Sequence, residues 1–323
     1  MRLVRSLRIG IVALLATACG QEESAPAPPA APAAEPTPAA AAVPATPADL
    51  PSGLVLALAQ FTEKDGKPVP GAARLEFLYR EGGSWKTSAL EDPESNVFHK
   101  ALVYRDSLLT LGGSAAIVKL WTKGDSGLAP KRLWQKDFGG KFSRMRDAEI
   151  ADLYGDGAQA IAVATHDQGI VAVLRPSSDA FEVKEIDAEK DTFVHEIEIG
   201  DLDGDGVREV YATPSEPNRL DGSVQTGHVV RYVPAKGEGR VVVADLGDRH
   251  AKEILVADVD GDGRDELYVA VEGHAGKDNV LVHPVEIRRY DAGTDPKGGR
   301  VIATLQDRLT RFLTVGDVEG DGR

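Results

Sequence analysis

Asp201-Leu202-Asp203-Gly204-Asp205-Gly206-Val207-Arg208-Glu209 recurs as Asp258-Val259-Asp260-Gly261-Asp262-Gly263-Arg264-Asp265-Glu266. A third copy runs Asp317-Val318-Glu319-Gly320-Asp321-Gly322-Arg323 and meets the end of the sequence before its ninth position. A weaker relative, Asp152-Leu153-Tyr154-Gly155-Asp156-Gly157-Ala158-Gln159-Ala160, precedes all three. The first residues of the four stretches are separated by 49, 57 and 59 positions. Carboxylates at positions 1, 3, 5 and 9 with glycine at 6 form the donor set of a hard, oxygen-seeking cation. Ca²⁺ takes six to eight oxygens at about 2.3–2.6 Å, and the glycine lets the chain bend sharply around it. Four carboxylates within nine residues repel one another unless a positive charge sits among them.

The residues after each stretch exclude an EF-hand, which needs a glutamate at position 12 and a helix. Glu209-Val-Tyr-Ala-Thr and Glu266-Leu-Tyr-Val-Ala-Val are β-branched and aromatic, and short apolar runs (197–200 and 254–257) lie just upstream. The unit is strand, acidic loop, strand. A third strand of each unit is read at 75–80, 116–121, 170–175, 228–233 and 286–290, and a fourth at 85–90, 132–136, 181–186, 240–244 and 300–305. Four strands per unit of roughly 50–60 residues is the blade of a β-propeller. The expected fold is all-β: a propeller of four-stranded blades with calcium-binding loops, five blades visible over residues 53–323. Leu54–Gln60 reads as the second strand of a blade and Arg311–Val315 as a first strand. Those two either close a five-bladed ring or, the reading preferred because the sequence stops inside a motif, belong to a truncated larger propeller.

The loops and strands resemble the FG-GAP/VCBS repeat propellers, the family of the integrin α-subunit head. The resemblance implies Ca²⁺ between the first two strands of a blade. Its ligands would be Asp201, Asp203, Asp205 and Glu209 with the Val207 carbonyl, and Asp258, Asp260, Asp262 and Glu266 with the Arg264 carbonyl. Asp317, Glu319 and Asp321 would begin a third site. Tyr154 and Ala160 break the pattern in the Asp152 loop, where weak or no calcium is expected. The turn near Asp106 has lost the motif and reads as a plain hairpin.

The N-terminus is of a different kind. Arg2, Arg5 and Arg8 lead a short apolar run, and Leu15-Ala16-Thr17-Ala18-Cys19-Gly20 resembles the lipobox of bacterial lipoproteins. That resemblance makes residues 1–19 a signal peptide, Cys19 the lipidated residue and the outer membrane or cell surface the location. Ala16 departs from the commoner leucine, and an ordinary secretory signal is the alternative. Cys19 is the sole cysteine and has no partner within the chain, which supports lipidation over disulfide chemistry. Residues 20–52 are mostly alanine and proline, a disordered tether spanning up to ~100 Å at about 3.1 Å per residue.

Six residues before each loop stand Lys100, Arg146, His195, Lys252 and Arg311. Strand alternation places them on one face, where they either ring one channel mouth as an anion site or pair with carboxylates such as Asp147, Glu196 or Glu253 of neighbouring blades. Net charge −14 argues against nucleic acid. No nucleophile elbow, P-loop, CxxC or dinucleotide fingerprint is present. The expected function is a surface-tethered, calcium-stabilised module binding a protein or glycan through inter-blade loops, notably the inserts Pro214–Gly227 and Glu272–Pro284. The alternatives are a propeller-based polysaccharide lyase or hydrolase and a structural envelope protein.

Overall fold

The computed structural model describes residues 53–318, apart from 114, 126, 140–142, 218–222, 277, 279, 307, 308 and 311. Residues 1–52, read above as a signal peptide and tether and including Cys19, lie outside the described residues, as do Arg311, Glu319 and Asp321. In chain order, β1 (Gly53–Leu58) is followed by a small hairpin, β2 (Phe61–Lys64) and β3 (Lys67–Pro70), then by β4 (Ala73–Glu81) and β5 (Ser84–Asp92). The second sheet holds β6 (Phe98–Tyr104), β7 (Ser107–Gly112), β8 (Ile117–Gly124) and β9 (Gly127–Gln135). The third holds β10 (Met145–Ala151), β11 (Ala160–Thr165), β12 (Ile170–Ser177) and β13 (Ala180–Ala188). The fourth holds β14 (Phe193–Gly200), β15 (Glu209–Ser215), β16 (His228–Val233) and β17 (Glu238–Asp245). The fifth comprises β18 (Ala251–Ala257), β19 (Glu266–Val271), β22 (Val285–Tyr290) and β23 (Arg300–Leu305), with a hairpin of β20 (His274–Ala275) and β21 (Leu281–His283) inserted between its second and third strands.

Sheets two to five are antiparallel meanders of four strands, and their cores lie between successive sheets. Leu109, Leu111 and Val118 of the second sheet pack with Met145, Ile161 and Leu174 of the third. Ala162 and Val171 of the third meet Ile197, Val210 and Tyr232 of the fourth. Tyr211 and Val229 of the fourth meet Ile254, Leu267 and Tyr290 of the fifth. A middle strand covered on both faces has no need of polar alternation, which is why β11, β15 and β19 are buried throughout. Burying each such Val, Leu or Ile contributes roughly 1.5–3 kcal/mol. The fourth strands β13 and β17 are largely exposed, and the first half of β13 alternates.

The first strands β6, β10, β14 and β18 lie against one another in chain order, the arrangement of blades about a common axis. Their approach is close. A Cβ on Gly200 would stand 2.1 Å from Val256 Cγ1, so only glycine fits where β14 passes β18. Amide-to-carboxylate bonds between blades reinforce the packing: Ile197 N donates to Asp147 Oδ2 at 2.9 Å and Leu313 N to Glu253 Oε1 at 2.8 Å.

Two features depart from the sequence reading. Residues 312–317 carry no strand, so the first sheet has three strands in the order β1-β4-β5. The β2–β3 hairpin is additional to the strands read from sequence, although Asp65-Gly66 is a strong turn signal and both residues adopt positive φ, 54° and 73°. One 3₁₀ turn, Pro234–Lys236, is the sole helical element among the described residues, and none of these forms a helix long and apolar enough to cross a membrane.

Candidate metal centre

Each acidic loop is a turn wrapped around its first aspartate. Asp201 accepts from Asp205 N (Oδ1, 3.1 Å) and Gly206 N (Oδ2, 2.8 Å). Asp258 accepts from Gly261 N (2.7 Å), Asp262 N (3.1 Å) and Gly263 N (3.0 Å). The fifth-position carboxylate caps the next turn, Asp205 from Val207 N at 2.9 Å and Asp262 from Arg264 N at 3.0 Å. The glycines at positions 4 and 6 take positive φ, 70° and 83° in one loop and 76° and 91° in the other.

The Asp152 loop makes the same turn. Asp152 accepts from Asp156 N at 3.2 Å and Gly157 N at 2.8 Å, and Asp156 from Ala158 N at 2.9 Å. It does so with tyrosine and alanine at positions 3 and 9, so acids there are not required for the turn itself. Arg175 instead lies 4.2 Å from the Tyr154 ring centre and 2.6 Å from Asp156.

In the other two loops the acids converge. Asp258, Asp260, Asp262 and Glu266 each offer an oxygen within 4.8 Å of the others, as do Asp201, Asp203 and Asp205. An oxygen-only donor set of this kind suits a hard cation and not a soft one. Glu209 and Glu266 are buried beneath their loops. Each is held by a tyrosine two residues on, Tyr211 and Tyr268, and by a loop amide, Leu202 N at 3.1 Å and Val259 N at 3.3 Å. Burial pushes the Glu209 carboxyl up. Glu209 Oε1 makes no hydrogen bond of acceptable geometry, although Arg231 Nη1 stands 2.8 Å away.

Sequence reasoning missed the arginines. Arg231 pairs with Tyr211 across β15–β16, and Arg289 with Tyr268 across β19–β22. From these equivalent places Arg231 reaches Asp203 at 3.3 Å, while Arg289 reaches Asp260 at 2.7 Å and Glu266 at 3.3 Å. Lys236 pairs with Asp205. Part of the charge the loops require is therefore supplied by the protein. The side-chain hydrogen bond from Lys236 holds Asp205 below the usual carboxylate range, and that from Arg289 does the same for Asp260. Of the third loop, Asp317 is described while Glu319 and Asp321 are not.

Four of the five basic positions lie among the described residues, and these four do not form one uniform ring. Lys100 turns to the next blade, 2.6 Å from Asp147 and 2.8 Å from Glu149. The alternation expected to carry them onto one face with the apolar positions is interrupted, because every first strand has a β-bulge there. The registers skip His99, Arg146 and Lys252, while His195 and Glu196 together oppose Thr213. In the second blade the bulged residue is His99, and counting from the motifless Asp106 turn selects its neighbour Lys100.

At the opposite, loop-bearing ends of the inner strands lies a cavity of about 340 Å³, lined by Glu149, Ile150, Glu198, Ile199, Arg208 and Asp258 among others. The Pro214–Gly227 and Glu272–Pro284 inserts fall between second and third strands, as expected. Buried Arg249 anchors the second, donating to Glu272 O at 3.0 Å and Pro284 O at 2.5 Å.

No protein-family model and no curated protein matches this chain. Solved structures do. The structure of the Dos1 propeller is similar at 12% identity and a TM-score of 0.47, covering 80% of this chain, which spans only 59% of that one. A crystal structure described as a 6-phosphogluconolactonase from Bacteroides uniformis matches at 11% identity and TM-score 0.38, over 74% of this chain and 80% of that one. One of the same description from Bacteroides fragilis matches at 12% and 0.36, over 73% and 78%.

Proposed function

We propose that this chain is a calcium-stabilised β-propeller of the FG-GAP/VCBS kind, tethered by lipid at Cys19 to the bacterial surface and serving to bind a protein or glycan. One observation carries the calcium reading. The Asp152 loop makes the same amide bonds from positions 5, 6 and 7 without acids at positions 3 and 9, so the acids of the other two loops answer to something besides the turn. A cation shared by Asp258, Asp260, Asp262 and Glu266, with the Arg264 carbonyl, satisfies that need, and the Asp201 loop with Val207 and Glu209 repeats it. Arg231 and Arg289 lie over the rim oxygens and offset only part of the charge. Carboxylate oxygens that accept an amide hydrogen keep a further lone pair for the ion.

The binding role is supported by the two inserts, which share one connection of successive blades and are set on rigid sheets. Calcium titration calorimetry should give two ions per chain over the described loops, and one in Asp262→Ala. Zero stoichiometry ends the calcium reading. A glycan array run beside lyase and hydrolase assays separates a binder from an enzyme: turnover without retained ligand would favour the second. Cys19→Ala should release the protein from the membrane fraction, and unchanged partitioning removes the tether from the account.

A further inference from the structure

Four successive inner strands each carry a bulge at the same height, and the bulged residues are His99, Arg146, the His195–Glu196 pair and Lys252. A bulge re-aims the side chain of its extra residue, and its repetition at one end of the axis brings together groups that are far apart in sequence. Arg146 Nε donates to His195 O at 3.3 Å, across the third and fourth blades. His166, just beyond β11, has its ring centre 5.0 Å from that of His195, edge to face. Arg144 Nη2 lies 2.7 Å from His166 Nδ1. Asp167 Oδ1 stands 3.3 Å from the same nitrogen, so Nδ1 accepts from Arg144 or donates to Asp167 according to the tautomer; the shorter Arg144 contact favours the proton on Nε2, on the far side of the ring.

Polar atoms are left over here. His195 is 3% exposed, and its Nε2 has no hydrogen-bond partner; His99 Nδ1 and His250 Nε2 are likewise buried and unsatisfied. Leaving such an atom unmade costs about 1–3 kcal/mol, so a group that recurs in this condition calls for a missing partner. Burial, aided by Arg144, Arg146, His166 and Lys252, depresses these rings: His99 to about 3, His250 to about 4 and His195 well below its usual value. They are neutral and each carries one N–H. Of the carboxyls nearby, Asp167 faces Arg144 at 3.0 Å and His166 Nδ1 at 3.3 Å, Asp147 faces Lys100 and Ile197 N, and burial, with Asp147 close by, pushes the Glu196 and Glu253 carboxyls up. A metal fits poorly, since among the described residues only the two acidic loops bring three or more ligand atoms within sharing distance.

We propose that this bulge cluster, centred on Arg146, His166 and His195, is a binding site for a small oxyanion such as a carboxylate or sulfate group. The site lies at the end of the inner strands remote from the acidic loops and stands independently of calcium. Arg146 supplies the charge and the imidazole N–H groups the directional bonds, within a buried setting that strengthens both.

The test is calorimetric titration of the full calcium-loaded chain with sulfate and, separately, with acetate. Saturable binding of at least one probe, one per chain and weakening with ionic strength, is expected; the tighter probe identifies the geometry preferred. Arg146→Gln should weaken it at least tenfold, Arg146→Lys much less, and His166→Asn severalfold. Ring ¹⁵N shifts of His166 and His195 should move with the same titration. Should Arg146→Gln not fold, as judged by loss of a cooperative melting transition, His166→Asn and the ring shifts decide. Absence of saturable binding by both probes, or affinity untouched by these variants, overturns the proposal.

Discussion

Tyr268 Oη donates a 3.0 Å hydrogen bond to Glu266 Oε2, the ninth carboxylate of its own loop. Tyr211 and Glu209 repeat the relationship one blade earlier. Burial and this bond push the Tyr268 hydroxyl up to about 12, so it remains a donor throughout the working pH range. The glutamate is thereby fixed beneath the loop with its other oxygen facing Arg289 at 3.3 Å. Tyr211→Phe should cost about 1–2 kcal/mol by leaving that carboxylate short of a donor, and should weaken calcium binding at its own loop alone. Urea melts with calorimetry on the single variant check both effects; unchanged stability would show that the tyrosine is only packing.

Arg289 bridges Asp260 and Glu266, the same charges that the proposed calcium would compensate. Arg289→Gln is therefore expected to lower the melting temperature more in chelator than in calcium. Equal losses under both conditions would mean that the guanidinium and the ion do not share a role.

Gly200→Ala places a methyl 2.1 Å from Val256 Cγ1, at the narrowest approach of β14 and β18. The backbone on one side and a β-branched residue on the other leave little to relax, and a destabilisation of about 1–3 kcal/mol is expected. Val256→Ala in the same chain should recover part of it. A neutral Gly200→Ala variant would contradict the close inner-strand packing.

Glu253 is buried against Asp147 and other inner-strand charges, and desolvation pushes its carboxyl up to about 7. A carboxyl whose folded value is raised binds its proton more tightly folded than unfolded. Its contribution is therefore fully present below about pH 4.5 and is lost as pH climbs through 7. Glu253→Gln keeps a carbonyl to accept from Leu313 N and removes the titration. The variant should gain on the wild type between pH 5 and 8. Depressed His99 and His250 act oppositely, losing stability as pH falls below about 6.5, so the difference between the two proteins, and not either curve alone, is the quantity to measure.

The loops and the strands around them were legible because their signals are local: fixed spacing of acids and glycines, then β-branched runs. Asp258 and Glu266 are eight residues apart and meet through one turn. Arg231 and Arg289 were not legible, since only the register between second and third strands sets them above the acids. Nor was the histidine cluster. His99, His166 and His195 are widely separated in sequence, and their meeting depends on bulges, which insert a residue without any marker in the sequence. Lys100 pairs with Asp147, one of the two outcomes the sequence left open, and stands one residue past the bulge because the Asp106 turn lacks the motif from which the others are counted. Residues 312–317 show the limit of pattern alone. Leu313 N reaches Glu253 much as Ile197 N reaches Asp147, yet no strand forms there.

The calcium account is tested most directly by scanning calorimetry of the full chain in calcium and in chelator. Ligand binding only the folded state stabilises by about 2.7 kcal/mol per site at a hundredfold excess over Kd. A melting temperature several degrees higher in calcium is expected, with the gain roughly halved in Asp205→Ala or Asp262→Ala and abolished in the double variant. Superimposable melts in calcium and in chelator would contradict the account.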